Sequence, residues 1–96
     1  MREVLTAFVV PHFCALIADD TGLIFKVKKN GEWKPAAMLR YSRMEYAEFH
    51  GSNVIIEMMS GKKMKASVLQ KKRLMEIFDE KGVACVDAGA NPFYRE

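Results

Sequence analysis

Apolar and polar positions alternate with period two along most of the chain up to Val68, and each run of alternation ends in turn residues. That period predicts strands whose side chains point alternately to two faces. Val4–Val10 reads as a first strand ending at Pro11, with a helix over "REVLTAFVV" as the competing reading. "FCALIADDTGLIFKVKK" reads as a hairpin with Asp19-Asp20-Thr21-Gly22 as its loop. It pairs Ala18 with Leu23, Leu16 with Phe25 and Cys14 with Val27, giving one clean apolar face. Asn30-Gly31 follows as a type I′ turn signal that pairs Lys29 with Glu32 and Lys28 with Trp33. Pro35 cannot donate a ladder hydrogen bond, so the strand after this turn is expected at an edge or short. "MLRYSRMEYAEF" resumes the extended pattern with a break near Ser42, and "HGSN" turns the chain so that Phe49 faces Val54 and Ala47 faces Ile56.

The last hairpin, "NVIIEMMSGKKMKAS" (53–67), has two candidate registers. A two-residue loop at Ser60-Gly61 would set Met58 against Lys63 and Ile56 against Lys65. A three-residue loop at Ser60-Gly61-Lys62 sets Met58 against Met64, Ile56 against Ala66 and Val54 against Val68. It also puts Glu57 against Lys65, worth about 0.2–1 kcal/mol, with Ile55 and Met59 on the lysine-bearing face. Burial of Ile56 and Met58 outweighs any such pair, so the apolar pattern selects the three-residue loop.

After this hairpin the period changes. Leu74, Ile77 and Phe78 share a helical face, Ser67 to Gln70 fits a capping box, and Gly82 fits a helix stop. An amphipathic helix is therefore predicted over about 68–81. "VACVD" is a candidate short strand. Residues 1–87 are expected as one domain, with 88–96 as a tail whose Phe93 and Tyr94 are candidates to cover Ile55 and Met59. The fold class is α+β, mainly antiparallel β: six to seven short strands in a meander or split barrel with one C-terminal helix. A roll with fewer strands is the alternative.

Element order and local pattern resemble the pleckstrin-homology-like barrel, specifically its small bacterial members, over residues 36–82. The matching residues are Tyr41 and Met44 in the extended stretch, Val54–Met59 and Gly61 in the hairpin, and Leu69–Phe78 in the helix. The resemblance implies a barrel plugged at one end by that helix. Lipid-binding members carry a basic cluster in the first inter-strand loop, whereas here that loop is only Pro11-His12, so phosphoinositide is not expected as a ligand.

Charge and chemistry change this picture little. Fifteen Lys and Arg against twelve Asp and Glu give a net charge of +3, well short of a dedicated nucleic-acid arm. Cys14 and Cys85 lie far apart among apolar residues and read as reduced, buried thiols. The apolar N-terminal stretch is interrupted by Pro11 and His12 and is too short to span a bilayer, so a cytoplasmic location is expected. His12 and His50 fall in predicted turns, and no triad, phosphate loop or metal-ligand spacing occurs, so neither catalysis, cofactor nor metal is expected. Asp19-Asp20 reads as turn chemistry.

The basic residues are the remaining lead. Lys62, Lys63 and Lys65 lie in the last hairpin, and Lys71, Lys72 and Arg73 on the helix. Lys26, Lys28, Lys29 and Lys34 surround Trp33. Basic residues beside an aromatic bind nucleic acid through phosphates and stacking, while lysines on edges and helix faces also serve solubility. Glu57, Glu76, Asp79 and Glu80 dilute the positive potential. The expected function is a non-catalytic interaction domain that binds a protein partner or itself, with Ile55 and Met59 as apolar contact candidates. The alternative is a nucleic-acid-binding accessory protein.

Overall fold

The computed structural model describes residues 2–89. The strands are β1 (Glu3–Val9), β2 (His12–Ala18), β3 (Gly22–Lys29), β4 (Glu32–Arg40), β5 (Met44–His50), β6 (Asn53–Met58), β7 (Lys63–Val68) and β8 (Cys85–Asp87). A 3₁₀ turn, Tyr41–Arg43, links β4 to β5, and the helix α1 (Lys71–Glu80) lies between β7 and β8. All eight strands form one sheet in the order β4-β3-β2-β1-β7-β6-β5-β8, antiparallel except for the β5–β8 pair. The fold is thus α+β with one helix near the C-terminus, as the periodicity predicts, with eight strands in place of six to seven. The sheet is not closed: β4 and β8 are its edges.

The β2–β3 and β3–β4 hairpins follow the predicted registers. Cys14 pairs with Val27, Leu16 with Phe25 and Ala18 with Leu23. Asp19 Oδ1 accepts from the Thr21 and Gly22 amides at 3.0 and 3.1 Å, which is the turn role expected of it. Those bonds hold the Asp19 carboxyl below its ordinary range. Asn30 and Gly31 have φ of 52° and 79°, and Lys28 pairs with Trp33. β4 lies at an edge, the first of the two outcomes expected from Pro35, and spans nine residues, with Ala36 absorbed as a bulge between Pro35 and Ala37. The β1–β2 turn is Val10-Pro11, with a cis peptide bond between them, so His12 belongs to β2.

The β6–β7 register differs from the expected one by two residues. Val54 pairs with Ala66, Ile56 with Met64 and Glu57 with Lys63, and the loop is Met59-Ser60-Gly61. Turn chemistry decides. Gly61 has φ of 93°, and a three-residue hairpin loop places its left-handed residue last, where Gly61 stands. An even slip leaves the side chains that remain in the strands on their predicted faces, so Val54 and Ile56 are fully buried as expected.

The helix begins later than predicted, because Ser67 and Val68 remain in β7. Val68 pairs with Ala7 of β1, and Ser67 Oγ donates to Asn53 Oδ1 at 2.6 Å instead of capping. The Gln70 side chain accepts from the Thr6 amide at 2.8 Å, so the capping box does not form. Leu69, expected to flank the helix face, is exposed. Leu74, Ile77 and Phe78 are buried as predicted, with the Phe78 ring 6.2 Å from that of Phe49. The helix ends in a Schellman arrangement: the Val83 amide donates to Phe78 O and the Gly82 amide to Asp79 O. β8 then adds to β5, and the Ala88 amide continues the pairing by donating to Phe49 O. Phe93 and Tyr94 lie outside the described residues.

One core is shared by the inner face of the sheet and the helix, built around Leu16, Leu23, Phe25, Phe49, Ile56 and Leu74. Cys14 is buried and Cys85 half-buried, both as free thiols, and burial pushes each thiol up. Among the described residues, no helix is long and apolar enough to cross a membrane.

Candidate functional site: a methionine groove with a basic rim

Because β4 is an edge and the β6–β7 hairpin finds no strand beyond its tip, a groove of about 730 Å³ opens between them. Ala37 and Leu39 of β4 and Met58 and Met64 of the hairpin belong to the core margin, yet here they remain only partly covered. Met38 and Met59 stand at the lips, 60% and 62% exposed, so four methionines line one opening. Met59 is held in place by its own amide, which donates to Arg43 O at 2.8 Å and so ties the hairpin tip to the 3₁₀ turn. Arg43, Lys62 and Lys63 complete the lining with Ser60, and no carboxylate is among the lining residues. An adjoining pocket of about 210 Å³, lined by Val9, Cys14, Phe25 and Val27, shares Ala37 and Met64 with the groove. Thioether side chains are flexible and polarisable and adapt to varied apolar partners.

The candidate residues divide among separate places. Lys62, Lys63 and Met59 meet in the groove. Ile55 does not join them: it is half-buried on the outer face of β6 opposite Lys65, while Met59 has left the strand for the loop. The expected Ile55–Met59 patch is therefore not formed. Lys65 borders a second cleft with Phe8 and Ser67. Trp33 is half-exposed on β4, with Lys28 Nζ 5.9 Å from its ring centroid.

Nor does the helix present a free cationic face. Arg73 pairs with Glu3 at 2.9 Å, Glu76 at 3.1 Å and Glu80 at 3.6 Å, and its guanidinium holds the Glu3 carboxyl low. Lys71 pairs with Asp87 at 3.2 Å. Lys72 alone of the three is exposed. His50 is buried with Nε2 3.2 Å from Glu48 Oε2. Among the described residues, no three His, Cys, Asp or Glu side chains converge as metal ligands would.

Sequence reasoning missed Arg43, Ala37, Met38 and Leu39 as site residues. The signals nearest to them were the break at Ser42, which creates the turn carrying Arg43, and Pro35, which makes β4 an edge. Compared with protein-family models and with curated proteins, the chain matches none.

Proposed function

We propose that this protein is a non-catalytic interaction domain that takes an acidic, amphipathic segment of a protein partner in the groove between β4 and the β6–β7 hairpin. The observation that carries this reading is the lining: apolar and methionine-rich at its floor, cationic at its rim through Arg43, Lys62 and Lys63, and without a carboxylate. A helix or strand with one apolar face and acidic flanks complements both features, the apolar face supplying affinity and the rim supplying orientation and association rate. The open sheet fits the same reading, since its β4 edge leaves a seam for a partner.

Two synthetic helices of identical apolar face, one with Glu and one with Lys on its polar face, test the proposal. The Glu peptide is expected to shift the methyl resonances of Met58, Met59 and Met64, with an affinity that falls with salt and in Arg43→Glu or Lys63→Glu. Unmoved methionine methyls, or equal binding of the Lys peptide, would refute it.

A further inference from the structure

The sheet's outer face carries a second feature. One cross-strand rung runs through Trp33 of β4, Lys28 of β3, Phe13 of β2, Phe8 of β1, Ser67 of β7 and Asn53 of β6. Phe13 and Lys28 are the next positions in register beyond the Cys14–Val27 pair. Phe8 and Phe13 meet edge to face with centroids 4.9 Å apart, and Phe13 remains 70% exposed. The adjacent rung, Thr6–Ala15–Lys26–Pro35, is low and adds a second lysine. On the other side of the rung β1 and β7 part after only two residue pairs, leaving a cleft of about 380 Å³ beside Phe8, Lys65 and Ser67. Strand alternation places Lys26, Lys28 and Arg40 on the outer face of β1–β4 and no carboxylate at all.

We propose that this rung binds single-stranded nucleic acid, running across the strands with bases stacked on Phe13 and Trp33 and phosphates held by Lys26, Lys28 and Lys65. Exposed aromatic faces accept any base, and neighbouring ammonium groups neutralise the backbone. Asn53 adds amide donors at the far end of the rung. From Trp33 to Asn53 is five strand spacings, roughly 24 Å, which suits the lower end of the footprint of small single-strand-binding domains, about 4–16 nucleotides. A protein surface would gain apolar contact here too, but it would not use a rung of π-faces with a lysine set between them on a β1–β4 face that carries no carboxylate.

Trp33 is the single tryptophan of the chain, so its fluorescence reports directly on stacking. Titration with oligothymidylate and oligouridylate is expected to quench that emission and to raise the anisotropy of the labelled oligonucleotide. The logarithm of the affinity should fall with log salt by about 0.7 per phosphate contact. Phe13→Ala, at an exposed position, should weaken binding by about 5- to 150-fold while leaving the thermal melt in place. Lys28→Gln should flatten the salt dependence. Met59→Gln, a charge-neutral change in the groove, should leave oligonucleotide binding unchanged, which separates this site from the groove. Absence of quenching and of anisotropy change up to about 10⁻⁴ M at low salt would overturn the proposal. So would wild-type affinity in Phe13→Ala, or a self-association that depends on Phe13 with no oligonucleotide bound.

Discussion

Replacing Tyr41 with Phe should remove a defined part of the protein's alkaline instability. Tyr41 sits in the 3₁₀ turn between β4 and β5, 7% exposed, with Lys81 Nζ 5.6 Å from its ring centroid. Its hydroxyl is buried without a hydrogen-bond partner among the described residues. Burial, reinforced by the Asp19 and Asp20 carboxylates, pushes the phenol up to about 12, against about 10 in an unfolded chain. Below pH ~10 the phenol is protonated in both states, and its neutral form is compatible with the fold. Between about pH 10 and 12 the unfolded chain gives up this proton while the folded chain keeps it, so stability falls as pH rises. The slope approaches ~1.4 kcal/mol per pH unit and the whole loss about 2–3 kcal/mol by pH 12. At neutral pH the Phe variant loses no hydrogen bond, so its stability should lie within ~1 kcal/mol of wild type or above it. Urea unfolding at pH values from about 8 to 11, wild type against variant, isolates this group, because the lysines and Tyr46 titrate in both proteins. A wild-type minus variant difference that does not change with pH would refute the reasoning.

Three further outcomes test the fold that carries the two surfaces. Ile56→Ala, at a position with no exposure, should cost about 2–5 kcal/mol by chemical denaturation, whereas Ile55→Ala on the outer face should cost much less; equal large losses would mean that both faces are covered. Gly22→Ala should pull β4 away from β3, since a Cβ there would lie 2.9 Å from Arg40 Cα and closer still to the Leu39 carbonyl oxygen; accelerated amide exchange along β4, with β5–β7 unchanged, is the expected signature. Gln70→Ala should leave the helix amides protected and expose the Thr6 amide to exchange, the reverse of what loss of a helix cap would do.

What was legible in the sequence was local. The Asp19–Gly22 loop and the Asn30-Gly31 turn fix their registers within a few residues, and alternation assigns Leu16, Phe25, Val54 and Ile56 to the core. The last hairpin shows the limit of alternation. Registers two residues apart keep Val54, Ile56, Met64, Ala66 and Val68 on one face, so the pattern fixes the face and Gly61 fixes the partners, Val54 with Ala66 and Ile56 with Met64. The helix starts later than its local pattern predicts because Val68 is claimed by Ala7, a partner distant in the chain. The groove was half legible for the same reason: Met58, Met59, Lys62 and Lys63 are sequence neighbours, but Arg43 and Leu39 reach them only through the turn that follows β4.

The junction between the two halves of the sheet explains why the helix cations are spent on structure. β1 and β7 share only two pairs, Ala7–Val68 pointing into the core and Phe8–Ser67 pointing out into the rung. So short a ladder leaves little to hold four strands against the other four, and the segment after β7 supplies the rest. The Leu69 amide donates to Thr6 O at 3.0 Å, the Gln70 side chain accepts from the Thr6 amide, and Arg73 clamps Glu3 at the start of β1. Successive residues from Val68 to Arg73 thus stitch the helix entry to β1, and a guanidinium engaged by three carboxylates is withdrawn from any ligand. The cations that face the two surfaces come from elsewhere: Arg43, Lys62 and Lys63 on the groove, and Lys26, Lys28 and Lys65 along the rung. An Arg73→Ala variant would accordingly loosen the junction, seen as faster exchange at β1 amides, without altering the salt dependence of binding at either surface.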